Sequence, residues 1–171
     1  MPIKIYKIKY IGGGKKKNMA EELKRQGKTA VELKNAGYTV IELKNAGFTL
    51  TKLKEAGFDL YKLMETVFTA KQFKEAEFTA SELKDAGFTA KQLKDAGFTA
   101  KQLKEAGFTA NNLRNAYTAK ELKEEKFTAK ELTEMNFYLK QLKEAGFTTV
   151  ELKADYNASE LKNKGFTAKE L

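Results

Sequence analysis

The chain has 171 residues, 42% of them hydrophobic and 32% charged, with a formal net charge of +9 and neither Cys nor His. That composition excludes disulfides, Cys/His metal centres, thiol nucleophiles and histidine acid–base chemistry. Residues 1–28 hold nine Lys/Arg against Glu21 and Glu22, a local +7, while the other 143 residues hold 23 basic and 21 acidic side chains, only +2. The basic character therefore belongs to the N-terminal end, and the high pI says nothing about the rest.

The first predicted element is a β-strand over residues 1–11. Ile3-Lys4-Ile5-Tyr6-Lys7-Ile8-Lys9-Tyr10-Ile11 is rich in β-branched and aromatic residues. Such a lone strand can cap the first repeat or add to a sheet in a neighbour, which makes Ile3, Ile5, Tyr6, Ile8 and Tyr10 candidate partner contacts. Lys4, Lys7 and Lys9 interrupt any apolar stretch of a secretory leader, and no apolar run reaches the roughly 20 residues of a membrane span. The expected location is the cytoplasm or a virus particle.

Residues 12–18 are expected to form a flexible basic linker, Gly12-Gly13-Gly14 followed by Lys15-Lys16-Lys17. The spacing of a phosphate-binding loop is absent. Lys4, Lys7, Lys9, Lys15, Lys16 and Lys17 form a candidate anion-contacting set, for nucleic acid, an anionic membrane or an acidic protein. The plainer reading is a solvated linker.

From residue 19 to residue 171 one decapeptide recurs. Phe98-Thr99-Ala100-Lys101-Gln102-Leu103-Lys104-Glu105-Ala106-Gly107 is one unit. Thr99 is an N-cap whose hydroxyl can accept from the Gln102 N–H, and the Gln102 side chain can reach back to Thr99, a capping box. Ala100–Glu105 are helix formers, and Gly107 supplies the left-handed residue that ends the helix. Phe98 and Leu103 have the spacing of a hydrophobic staple, and Phe108 falls where a Schellman ending makes its apolar contact. Each leucine is thus held between two aromatics. Helices under two turns are unstable alone, so stacking of repeats must stabilise them.

Two other architectures fail. A continuous helix would let its apolar seam wander, because ten residues at about 100° each fall about 80° short of three turns. A square β-helix would turn lysines such as Lys91 and Lys101 inward, unpaired. The expected fold is all-α: a solenoid or superhelix of short capped helices, one per ten residues, with the N-terminal strand beside it.

The repeat is broken in informative places. The glycine step is lost near Ala116-Tyr117 and near Asp155-Tyr156, where units have nine residues. Asn157 opens a glycosylation sequon but reads as a helix cap. The second helical position, often lysine, is Val31, Ile41, Thr51 and Tyr61 in the early units; Met64 replaces a lysine at the fifth position and Val67 a glycine. This predicts an apolar stripe at Val31, Ile41, Tyr61 and Met64, covered by the N-terminal segment or by another chain. The last unit stops at Leu171, and its apolar face is expected to be open. The recurring carboxylates Glu75, Asp85, Asp95 and Glu105 read as solvated partners of lysines, not as a catalytic pair.

Decapeptides of this kind resemble the repeats of predicted proteins in large DNA viruses and some protists, over roughly residues 28–171. The resemblance implies no activity, only a structural role, in a virus particle among other settings. The expected function is non-enzymatic: a scaffold that bridges or cements larger components, needing no cofactor, metal or small-molecule substrate, with other proteins as partners. The alternative is a protein-binding adaptor whose basic N-terminal tail makes weak contact with nucleic acid.

Overall fold

A computed structural model describes residues 13–153, 155–164 and 166–167, the first six of these by backbone alone. The expected strand at residues 1–11 lies outside the described residues, and no strand occurs among those described. Fifteen helices do occur, in two compact units divided between Phe78 and Thr79. The first unit holds α1 (Gly13–Arg25), α2 (Ala30–Asn35), α3 (Val40–Asn45), α4 (Leu50–Glu55), α5 (Leu60–Met64) and α6 (Ala70–Glu75). The second holds α7 (Ala80–Asp85), α8 (Ala90–Asp95), α9 (Ala100–Glu105), α10 (Ala110–Ala116), α11 (Ala119–Glu124), α12 (Ala129–Glu134), α13 (Leu139–Glu144), α14 (Thr149–Leu152) and α15 (Ala158–Asn163).

The linker expected at 12–18 is corrected: helix α1 already begins at Gly13. The first repeat has Met19 where later repeats have a capping threonine, so nothing stops the helix from running back through Lys15, Lys16 and Lys17, which are good helix formers.

Each later helix is built as its sequence dictates. In α9 the Gln102 N–H donates to Thr99 Oγ1 at 3.1 Å, and the Thr99 N–H donates to Gln102 Oε1 at 3.0 Å. At the other end, Phe108 N donates to Leu103 O at 3.0 Å and Gly107 N to Lys104 O at 2.9 Å, the paired bonds of a Schellman ending. Gly107 has φ +79°. At three positions that lack the glycine the backbone is still left-handed, Glu77 (φ 59°), Lys126 (φ 69°) and Asn136 (φ 61°), whereas at Val67 it is not.

The anchors form the core. Leu33, Leu43, Leu53, Leu63, Leu83 and Leu93 are 0% exposed, and Phe73, in a leucine position, packs edge-on against Phe68 and Phe78. Burying a leucine contributes roughly 1.5–3 kcal/mol. Most aromatics of the ladder are buried, from Tyr38 and Phe48 to Phe147 and Phe166; Phe58, Phe68, Phe88 and Tyr156 are half-buried.

Within each unit a helix packs on the next helix and on the next but one. In the first unit α1 meets α3, α2 meets α4, and α4 meets α6. In the second α7 meets α9, α8 meets α10, α11 meets α13, and α12 meets α14. Each unit is therefore a coil with two repeats per turn, its helices in two alternating rows. The nine-residue units sit where the sequence places them. In α10 the glycine step is gone, the helix runs to Ala116, and Tyr117 N donates to Leu113 O at 2.8 Å. Asn157 caps α15, accepting from the Glu160 N–H at 3.0 Å.

Candidate functional site

The fifth helical position carries a device that the sequence reading took for solvated charge. Lys84 of α7 reaches α9, two helices on: its ammonium donates to Ala106 O at 3.2 Å and Gly107 O at 2.8 Å and lies 5.7 Å from the centre of the Phe108 ring. Lys34 does the same to Ala56 O, Gly57 O and Phe58, and Lys54 to Ala76 O, Glu77 O and Phe78. Helix C-termini present unpaired carbonyls and a negative dipole end, so a cation there is favourable. A ring face beneath it adds a cation–π contact. Each bridge therefore ties one turn of the coil to the next.

Further ion pairs follow the same path. Lys94 meets Glu121 at 2.6 Å, Lys104 meets Glu131 at 2.8 Å, and Lys123 meets Glu151 at 3.4 Å. Lys94 and the Thr118 N–H hold the Glu121 carboxyl below the usual carboxylate range; Lys104 and Thr128 do this for Glu131. For Glu151 the Thr148 N–H is the main cause. Glu32, bonded by Lys28 and the Thr29 N–H, is lowered to about 2. Burial pushes the Tyr117 phenol far up, and its hydroxyl donates to Phe98 O at 2.7 Å.

Outside this interior the expected contact residues are placed as follows. Val31 (46% exposed), Ile41 (47%) and Tyr61 (69%) face solvent from the second helical position of α2, α3 and α5. With two repeats per turn, Val31 belongs to the α2/α4 row and Ile41 to the α1/α3 row. Lys44 of α3 lies over Phe68, just beyond α5, which brings Tyr61's helix into the row of Ile41. Met64 ends α5 half-buried, and Val67 beyond it is exposed. Lys15, Lys16 and Lys17 fall in α1, while Ile3, Lys4, Ile5, Tyr6, Lys7, Ile8, Lys9 and Tyr10 lie outside the described residues.

The sequence reading missed two further exposed apolar residues, Tyr138 and Val150. Val150 could have been found, since it repeats the second-position substitution of Val31. Tyr138 stands where other repeats have the capping threonine; its N–H donates to Gln141 Oε1 at 2.9 Å, and Arg114 lies 5.2 Å from its ring centre.

Among the described residues no cluster of acidic side chains could hold a metal ion, and no helix is long and apolar enough to cross a membrane. Among known proteins, the family model described as the decapeptide repeat region matches three times, over residues 18–75, 47–116 and 116–171. No curated protein and no solved structure matches the chain. The matched segments run across every capped repeat described above, so the chain belongs to the decapeptide repeat family.

Proposed function

We propose that this chain is a non-enzymatic scaffold that bridges other proteins, further copies of itself included, docking through apolar and aromatic side chains set at the solvent positions of its repeats. The observation that carries this is the exposure of Val31, Ile41, Tyr61 and Val67 in the first unit. The fold needs nothing apolar there, because the positions of Val31, Ile41 and Tyr61 are lysines in other repeats, such as Lys71, Lys91 and Lys101, and the position of Val67 is glycine in most. Ile41 and Tyr61 share one row, and large exposed side chains that share a face mark interaction surfaces, with tyrosine a preferred anchor in them. The strand-like sequence at residues 3–11 is a second attachment point in this proposal. We extend it to a place in the particle of a large virus, on the likeness of the repeats alone.

The test is scattering over a concentration series on the full chain, on a chain lacking residues 1–17, and on the double variant Ile41→Lys, Tyr61→Lys. Both positions are exposed, so the double variant should keep its stability within about 0.5 kcal/mol per site. The proposal predicts larger particles for the full chain and an unassociated species for both altered chains. Monomers at every concentration for all three would remove self-assembly from the proposal and leave only a foreign partner for the surface.

The local charge of +7 over residues 1–28 favours a second reading, an adaptor tethered to nucleic acid by its basic end. Phosphate binding by clustered lysines weakens steeply with salt, whereas apolar docking does not. A salt titration of complex formation separates the two.

A further inference from the structure

From α7 to α13 the fifth helical position reads Lys84, Lys94, Lys104, Arg114, Lys123, Thr133 and Lys143. Each of the six cations lies over the aromatic ring 23 or 24 residues further on: Phe108, Tyr117, Phe127, Phe137, Phe147 and Phe166. Thr133 alone breaks the series. The ring 23 residues on from it is Tyr156, and Thr133 meets it only hydroxyl to hydroxyl at 3.4 Å. The Thr133 hydroxyl also donates to Ala129 O at 2.9 Å, which turns it back onto its own helix. Tyr156 is half-buried, and no cation stands over its ring among the described residues.

The nearest template is one turn-break earlier. There Lys94 donates to Ala116 O at 3.0 Å and lies 4.8 Å from the centre of the Tyr117 ring. Thr133, Asp155 and Tyr156 occupy the same register, again at a nine-residue unit. An open depression of about 570 Å³ lies beside Thr133, lined among others by Tyr138, Lys140, Tyr156, Glu160 and Lys164; one of about 600 Å³ lies at the Arg114–Phe137 bridge, so what sets the Thr133 depression apart is the bare Tyr156 ring and not its volume. That size suits a small ligand or a single side chain.

We propose that this depression receives a lysine side chain from another polypeptide, in place of the internal lysine or arginine that the fold supplies at the other bridges. The ring face of Tyr156 recognises the ammonium, and Tyr138 adds a second aromatic wall. Lys140 and Lys164 also line the depression and, with Glu160 offsetting only one of their charges, disfavour a bare cation. Lys140 is drawn towards Glu144 at 3.9 Å. Together the two lysines select an incoming lysine followed by an acidic residue, the Leu-Lys-Glu pattern of the repeat itself. The site does not depend on the surfaces proposed for the first unit.

The probe is an acetylated and amidated pentapeptide with the sequence of residues 103–107, Leu-Lys-Glu-Ala-Gly. Binding to the full chain is followed by NMR shifts at Thr133 and Tyr156. Saturable shifts are expected at millimolar peptide. Norleucine in place of the peptide's lysine should weaken binding about twofold to thirtyfold, the span of cation–π contacts from exposed to desolvated sites. The variant Thr133→Lys should refill the slot from within, abolish peptide binding and raise the melting temperature. Tyr156→Leu should erase the preference for lysine over norleucine, and this comparison decides the matter even if Thr133→Lys does not fold. Absence of shifts with the parent chain, equal binding of the two peptides, or undiminished binding to a folded Thr133→Lys would each overturn the proposal.

Discussion

Changing Lys84 to methionine removes an ammonium while keeping an apolar stem of similar length. In the parent that ammonium bonds Ala106 O and Gly107 O and covers the Phe108 ring. A partly exposed cation–π contact is worth about 0.5–1 kcal/mol. A cation at a helix C-terminus contributes about 0.3–1 kcal/mol. The same charge makes both contacts, so the two overlap, and methionine retains the packing of the stem; the expected loss is about 1 kcal/mol. For a chain of this size that lowers the melting temperature by about 2–4 °C. Lys91, at the exposed second position of α8, is the control, and Lys91→Met should change stability by less than about 0.5 kcal/mol. Thermal unfolding of both variants, followed by far-UV circular dichroism, makes the comparison. Equal melting temperatures for Lys84→Met, Lys91→Met and the parent would refute the bridging role.

Three further outcomes follow from the same geometry. Gly107→Ala should destabilise more than Gly87→Ala in urea unfolding. Both have positive φ, but a Cβ at 107 would sit 2.9 Å from the Lys84 ammonium, whereas at 87 nothing lies within 4 Å. Lys126→Gly should stabilise by roughly 0.5–1 kcal/mol, because releasing a left-handed side chain gains somewhat more than the added freedom of the unfolded glycine costs. The carboxyls of Glu32, Glu121, Glu131 and Glu151 titrate lower folded than unfolded. Their stabilisation is therefore complete above the ordinary carboxylate pKa and is lost as protons bind the folded state. The melting temperature should be level above about pH 5 and fall as the pH drops towards 2, and a melting temperature unchanged across that window would contradict these assignments.

The parts of the fold legible in the sequence are those made by residues five or fewer apart. The Thr99–Gln102 box, the Leu103–Phe108 ending and the cap at Asn157 all fall in that range, so spacing alone identifies them. The lysine bridges span 22 to 24 residues along the chain, as from Lys84 to Ala106 and Phe108. Which rings they cover depends on the number of repeats per turn, and a ten-residue period does not contain that number. A signal was present nonetheless. The fifth helical position is basic from Lys24 through Lys54 and from Lys74 through Lys123, while the second varies freely from Val31 to Lys101. A position that demands charge in a near-neutral array is bound to something. The same missing number kept the sequence reading from assigning Val31 and Ile41 to alternate rows. The backbone at residues 13–18 was misread because three glycines outweighed the helix-forming lysines and the absence of a capping threonine at Met19.

The most direct test of the interlocked coil is the side-chain NMR spectrum of the lysines in the full chain. A methylene next to an ammonium that sits over a ring is shifted upfield by the ring current. Lys54, Lys94 and Lys123, each within 5 Å of a ring centre, should show upfield ε-proton resonances, while the exposed Lys71, Lys91 and Lys101 keep ordinary ones. A single unshifted cluster for all six lysines would contradict the account.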